Sequence, residues 1–237
     1  MKGTNVDGVN IGVVPNVDSV NIKGRMGPMP KKRSYHHPDL RKALLEGAVR
    51  LIREEGMREF SLRKLAAQVG VSHAAPYRHF KNKEDILATL MLEGHKRLRT
   101  SLLDARARCR GKGSDKFIAQ GRAYVEFARK NPEYLSVMFS REGLAAARSL
   151  GDKLGDDQED YDSFGVVEAT VAECQAEGSM DPHADAAALG LHAWATVHGL
   201  ALLRNEGLIA GMSEMRGGNE SGTLDAIFAI MRARLKH

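Results

Sequence analysis

Residues 71–83 read VSHAAPYRHFKNK. His73, Tyr77, Arg78, His79 and Lys83 place hydrogen-bond donors and positive charge along one short segment. Side chains of these types suit contact with an anion, phosphate above all, better than bond-making chemistry. The constellations that catalysis needs are missing: there are no paired carboxylates, no Gly-rich phosphate loop and no nucleophile elbow. Cys174 and His198 can be drawn as a dyad, but no third group is evident to orient the imidazole. The chain is therefore read as a non-enzyme, and nothing in it asks for a cofactor or a metal.

Pro76 raises the question of what this segment folds into. The first amides of a helix have no internal partner, so a proline there forfeits little, whereas deeper in it costs about 3 kcal/mol. With Ser72 or His73 as the cap, Pro76 falls at the third or fourth helical position. It also biases Ala75 away from helical angles. The expectation is a short helix whose first turn is irregular or 3₁₀-like.

The surrounding sequence supplies the elements that position it. In PDLRKALLEGAVRLIREEG, Leu40, Leu44, Ala48, Leu51 and Ile52 recur at helical spacing, with Pro38 in the first turn and Gly56 as the stop. Ser61 then caps LRKLAAQV, with Leu62, Leu65, Ala66 and Val69 on one face and Gly70 behind. Helix, glycine turn and short helix make a helix-turn-helix, whose second helix enters the DNA major groove. A long helix follows from Asn82, opened by Glu84 and Asp85 where the dipole favours acids. Further helical patterns cover about 114–130, 132–140, 160–178, 183–205 and 221–236, broken by Asn131-Pro132, the Gly/Asp-rich 151–159, Asp181-Pro182 and the Gly-rich 206–222. Period-two alternation is essentially absent past residue 35, so the chain is read as all-α.

Charge divides along the same line. The 237-residue chain carries a net +5. Residues 31–110 hold 19 Lys and Arg against 9 Asp and Glu, whereas residues 111–237 hold 13 against 19. A basic front suits a polyanion, although a single-sign face can also be merely solvated. Two distant cysteines, Cys109 and Cys174, suggest no disulfide framework and fit a reducing, cytoplasmic setting. Uninterrupted apolar runs fall short of a membrane span, so no membrane partner is expected.

Taken in order, SLRKLAAQVGVSHAAPYRHFKNKEDIL resembles the DNA-binding domain of the tetracycline-repressor (TetR) family of transcriptional regulators, over about residues 40–90. AWATVHGL at 193–200 also looks like the Trp-His-Gly signature of one subclass of that family's C-terminal domains. The resemblance implies a three-helix helix-turn-helix domain at 35–82 and a helical domain at 83–237 for effector binding and dimerisation. It further implies a homodimer on a double-stranded DNA operator, most simply a repressor released by a small-molecule effector. The alternative is an architectural protein that binds DNA without sequence preference and takes no effector.

Roles follow position by position. Ser61 with its free amides suits a phosphate. Arg63, by resemblance, either reads a guanine edge or holds a phosphate or a surface carboxylate. Ser72 and His73 open the third element, His73 by resemblance facing a base, with Ala74 and Ala75 as small spacers that let the backbone approach. Tyr77 and His79 match phosphate-touching positions, Arg78 reaches base or backbone, and Lys83 sits where charge and dipole both favour an anion. Phe80 is assigned to the core. Lys31, Lys32 and Arg33 either follow the minor groove or form a solvated tail.

In the second half, Phe117, Tyr124, Met138, Phe139, Phe164 and Val167, with Trp194 and His198, are the candidate walls of a pocket for an apolar effector. The competing account is ordinary core packing, with the Trp194 and His198 polar atoms satisfied internally. Residues 1–34 are read as a poorly ordered leader ending in the basic arm. They contain an imperfect repeat, NVDGVNIG at 5–12 and NVDSVNIK at 16–23, and Met26 or Met29 is a candidate natural start.

Overall fold

The computed structural model describes residues 39–151 and 158–235. The leader, Lys31, Lys32, Arg33 and Pro38 lie outside the described residues. Among the described residues the chain forms eleven α-helices and no strand: α1 (Leu40–Glu55), α2 (Leu62–Val69), α3 (Lys83–Arg108), α4 (Gly113–Lys130), α5 (Pro132–Met138), α6 (Arg141–Gly151), α7 (Gln158–Tyr161), α8 (Ser163–Ala176), α9 (Ala186–Asn205), α10 (Leu208–Met215) and α11 (Glu220–Arg234).

The starts of these helices follow local chemistry. Asp39 Oδ1 accepts from the Lys42 amide at 3.0 Å, Ser61 Oγ from Lys64 at 3.3 Å and Asn82 Oδ1 from Asp85 at 2.9 Å. Each satisfies one of the orphan donors of a first turn, an arrangement usually worth about 1 kcal/mol. The apolar faces also follow spacing. Leu44, Ala48, Leu51 and Ile52 are the buried side of α1, and Leu62, Leu65, Ala66 and Val69 that of α2. The two helices cross closely because position 47 has no side chain. A Cβ on Gly47 would lie 2.7 Å from Val69 Cγ2 and 3.0 Å from Leu65 Cδ1. Gly70 ends α2 at φ 76°, a left-handed conformation that other residues adopt only with strain.

Beyond the first two helices, α3 is the spine, at about 39 Å for its residue count. It packs against α4, α5, α6 and α8, while α4 also packs on α8, α9 and α11. One continuous core runs from Leu44 and Leu65 through Ile86, Leu90, Leu98 and Tyr124 to Val197 and Phe228. A smaller cluster gathers Phe117, Val171, Cys174 and Met180.

Two helices fall where none was expected. α6 lies between the patterns at 132–140 and 160–178; Gly143 and Ala146 are buried in it while Leu144 is 43% exposed. Packing on α3 holds it in place. α10 interrupts the Gly-rich 206–222, held by buried Ser213, whose Oγ donates to the Ile209 carbonyl at 2.6 Å and lies 2.7 Å from Thr223 Oγ1. The 160–178 pattern is split at Asp162, which caps α8 through Gly165 at 2.7 Å.

The expectation about membrane-length apolar segments needs correcting at α9. By length and composition this helix is long and apolar enough to cross a membrane, and only 22% of its apolar window is buried against the rest of the chain. Counting uninterrupted apolar runs overlooked it, because Gly190, His192, Thr196, His198 and Gly199 punctuate a helix that is otherwise Ala, Leu, Val and Trp as far as Arg204 and Asn205 at its end. Leu191, Leu202 and Leu203 are exposed on it, as are Leu208, Met212 and Met215 on α10 and Ile230 on α11.

Candidate nucleic-acid interface and ligand cavity

After the Gly70 turn the chain does not re-enter an α-helix. Residues 76–78 form a single 3₁₀ turn, so the geometry expected of the first turn is the geometry of the whole third element. The hydrogen bonds show why. Ala75 donates to the Ser72 carbonyl at 2.9 Å, Arg78 to Ala75 at 3.2 Å and His79 to Pro76 at 3.0 Å. Each is a three-residue step, Pro76 has no N–H with which to reach back to Ser72, and a single four-residue bond, from the Phe80 amide to the Pro76 carbonyl at 3.0 Å, closes the turn.

Ala75 departs from expectation, with helical angles of φ −65° and ψ −42°. Pro76 is fully buried, and seating its ring in the core overrides the local preference of the residue before it. No side chain caps this element. Ser72 contributes its carbonyl and leaves its hydroxyl at the exposed surface.

Burial of Pro76 and Phe80 turns the polar side chains outward. Ser72, His73, Ala74, Tyr77, Arg78 and His79 are exposed, Tyr77 by 59%, and Ala75 is half-buried. Arg63 is exposed on α2. Neither Arg63 nor Arg78 has an ion-pair partner among the described residues, whereas neighbouring Lys64 is bound by Glu55 and Glu59. Ser61 is half-buried; its oxygen is used in capping and its O–H remains free to donate. Lys83 is partly committed: Nζ donates to the Met57 carbonyl at 3.3 Å and stands 5.7 Å from the Phe60 ring centroid. That contact ties the start of α3 to the α1–α2 connection and leaves two ammonium hydrogens. Lys81, exposed beside this patch, is a further cation that the sequence reading passed over although it lies in the same FKNK run.

Phe80 is 2% exposed, with the Arg41 guanidinium of α1 5.3 Å from its ring centroid. The outcome is an exposed basic and aromatic edge, shaped by two short elements and backed by Arg41 of α1 against Phe80.

The second half contains an apolar cavity of about 310 Å³ walled by His95, Leu98, Leu102, Tyr124, Phe139, Ser163, Phe164, Val167, Leu191 and Trp194. A smaller cavity of about 30 Å³ adjoins it, sharing Leu102, Tyr124, Val167 and Trp194 and adding Phe117, Gln120, Val197 and Phe228 among others. Of the residues singled out from sequence, Phe117, Tyr124, Phe139, Phe164, Val167 and Trp194 line one cavity or both. Met138 lines neither; it is fully buried against α3 at Gly94. His198 stands behind the wall, with ring centroids 4.6 Å from Phe139 and 5.3 Å from Trp194.

Three polar atoms in that wall satisfy one another. The Trp194 indole N–H donates to the Tyr124 oxygen at 3.3 Å, and Tyr124 Oη lies 2.7 Å from His198 Nδ1. Burial pushes the Tyr124 phenol above its ordinary range and holds His198 below its own. Both groups are thereby held in their neutral forms, and one hydrogen is shared between phenol and imidazole. Trp194 and His198 thus satisfy each other's surroundings as packing requires while also forming part of the cavity boundary. Sequence reading missed His95, Ser163 and Gln120. The last was detectable as a polar residue on the apolar stripe that carries Phe117 and Tyr124.

His95 Nδ1 lies 3.0 Å from Ser163 Oγ, and burial lowers its pKa, with nearby Asp162 opposing. Because both histidines are depressed below about 6.5, the unfolded chain binds more protons than the folded one as pH falls past that value. Stability is accordingly expected to hold above about pH 6.5 and to fall progressively below it. The melting temperature measured across that range checks this, with His95→Gln and His198→Gln each flattening the decline.

Cys174 and His198 are not brought together by any recorded contact. The thiol is buried in the smaller core cluster and pushed up by that burial, while His198 Nδ1 faces Tyr124.

Comparison with known proteins agrees with this layout. The profile of bacterial regulatory proteins of the tetR family matches residues 44–90, and that of a tetracyclin repressor-like C-terminal domain matches 117–218. Among curated proteins, the fatty acid metabolism regulator protein of Bacillus subtilis (strain 168) is 42% identical over 50 residues, which is 21% of this chain. The match spans about a quarter, 26%, of that relative's length. Among solved structures, a protein of unknown function from Rhodococcus sp. RHA1 superimposes with a TM-score of 0.66 at 29% identity, covering 86% of this chain and 100% of that one. The TetR family transcriptional regulator PfmR from Thermus thermophilus shares the fold, with a TM-score of 0.52 at 22% identity over 68% of this chain and 84% of that one.

Proposed function

The chain belongs to the tetR family of bacterial regulatory proteins, and from that premise we propose that it is a homodimeric repressor whose grip on a near-palindromic operator is loosened by a small apolar ligand. One observation carries the reading: a single helix joins the two sites. At the amino end of α3, Lys83 sits beneath the exposed basic edge, and about 28 Å further along the same helix Leu102 lines both cavities. His95 and Leu98, between them, line the larger cavity. A ligand that holds this wall in a second arrangement moves the base of the DNA-facing turn with it. The required coupling is modest, about 1–3 kcal/mol of differential affinity, or roughly 5- to 150-fold.

Arg63, His73, Arg78, Tyr77 and His79 are the residues assigned to DNA, with Ser61, Ser72, Ala74, Ala75 and Lys83 supporting close approach. The exposed leucines and methionines of α9 and α10, with Ile230 of α11, support a second copy of the chain packing there. Two copies present two basic edges, which suits half-sites roughly 34–36 Å apart.

Selection of bound sequences from random duplex DNA at about 150 mM salt tests the proposal, because electrostatic attachment alone is weak there. A two-fold symmetric motif is the expected result. Enrichment of no motif, with binding that vanishes as salt rises, would overturn it in favour of architectural binding.

A further inference from the structure

Gln120 lies on α4 between Phe117 and Tyr124 and is 2% exposed. Neither its Nε2 nor its Oε1 has a hydrogen-bond partner among the described residues. Its side chain lines the cavity of about 30 Å³. A buried amide with both ends unpaired is costly, and native proteins keep one where something else completes it. Tyr124 and Trp194, the other polar side chains of this cavity, already complete each other. The unmet capacity belongs to Gln120.

Two further observations restrict what meets it. The small cavity has room only for a small polar head, about two waters' worth, and it shares four wall residues with the cavity of about 310 Å³ beside it. That larger volume is at the lower end of those that hold small molecules. Moreover, no Lys, Arg, Asp or Glu lines either cavity. An ionised carboxylate placed there would lose its hydration and gain no cation.

We propose, resting on the assignment of this half of the chain to effector binding, that the ligand is an uncharged amphiphile. Its apolar body occupies the larger cavity. A group that both donates and accepts, such as a primary amide, passes Tyr124 and Trp194 and pairs with the Gln120 carboxamide. The carboxamide presents the complementary acceptor and donor. A site built to hydrogen-bond both ends of such a group rejects an analogue that lacks the donor, because the Gln120 oxygen is then left unpaired.

Decanamide, methyl decanoate and decanoate, which share one hydrocarbon tail, test this on the full chain. Trp194, the single tryptophan, lines both cavities and reports binding by its fluorescence. The expected result is that decanamide binds at least about tenfold tighter than the ester or the carboxylate. Gln120→Leu is expected to erase that preference while retaining ester binding. The ligand-free variant should melt no lower than the wild type, because it removes an unpaired buried amide; Gln120→Met provides a second variant of similar volume. Equal binding of amide and ester by the wild type, tighter binding of decanoate, or binding of none of the three overturns the proposal. So does a preference that survives in both variants, which would mean that a group other than Gln120 reads the ligand's amide. Operator affinity is measured separately by mobility shift. Gln120-dependent binding without operator release keeps the site and overturns the effector assignment, whereas operator release by amide and ester alike does the reverse.

Discussion

Replacing Phe80 with alanine is expected to lower the melting temperature by roughly 6–20 °C and to abolish operator binding at concentrations that saturate the wild type. The ring is 2% exposed in the core shared by α1, α2 and α3, and emptying such a site costs about 3–5 kcal/mol. In a chain of this size each kcal/mol corresponds to roughly 2–4 °C. The functional loss has a separate cause. The third element is a 3₁₀ turn with few hydrogen bonds of its own, and two buried anchors, Pro76 and Phe80, decide which way Tyr77, Arg78 and His79 point. With one anchor gone, those side chains lose their fixed relation to Arg63 on α2. Tyr77→Ala is the matched control. Its side chain is 59% exposed, so stability should change by less than about 0.5 kcal/mol while DNA affinity falls. Thermal unfolding and fluorescence anisotropy on labelled operator read the two quantities independently. A Phe80→Ala protein that melts like the wild type would show that Pro76 alone seats the turn.

Converting both Leu202 and Leu203 to glutamate is expected to yield a folded monomer with operator affinity reduced at least about 100-fold. Each leucine is 47% exposed in the single chain, and surface changes of this kind usually shift stability by no more than about 0.5 kcal/mol. The same positions lie on a 20-residue apolar helix with few buried residues, next to exposed Leu208, Met212 and Ile230. A second copy packed there would have to take four carboxylates out of water, which opposes association. Losing the dimer separates two recognition edges that otherwise bind together, and the bivalent gain disappears with them. Sedimentation velocity measures the assembly and a mobility shift the affinity. A variant that remains dimeric and holds its operator would exclude this face as the interface.

Much of the DNA-facing part was legible from residue order. Ser61, Asn82 and Gly70 act through bonds to residues three or four positions away, so their roles are local and follow from type and spacing. The buried faces of α1 and α2 follow from helical period for the same reason. Even the 3₁₀ geometry was foreshadowed, since a missing N–H is a covalent fact about Pro76. Its extent was not, because the choice between a longer helix and a buried proline depends on the pocket that α1, α2 and α3 form beneath it. The same packing set Ala75 at helical angles against its local preference.

The effector half was less legible. Its apolar stripes named Phe117, Tyr124, Phe139, Phe164, Val167 and Trp194 as one population, and spacing could not separate cavity walls from packed core such as Met138. α10 escaped because it sits in a Gly-rich stretch that reads as a break, and α6 because it is short and takes its place by packing on α3, distant in sequence. Residue order alone settled the helices with strong caps and clear faces, the family, and the cationic edge, all consequences of interactions spanning a few residues. Packing in three dimensions settled which side chains stand around empty space, that Gln120 meets no partner, and that α9 keeps an apolar face uncovered. Cavities, unpaired buried atoms and bare surfaces are defined by residues tens of positions apart brought within a few ångströms, and no local pattern encodes that distance.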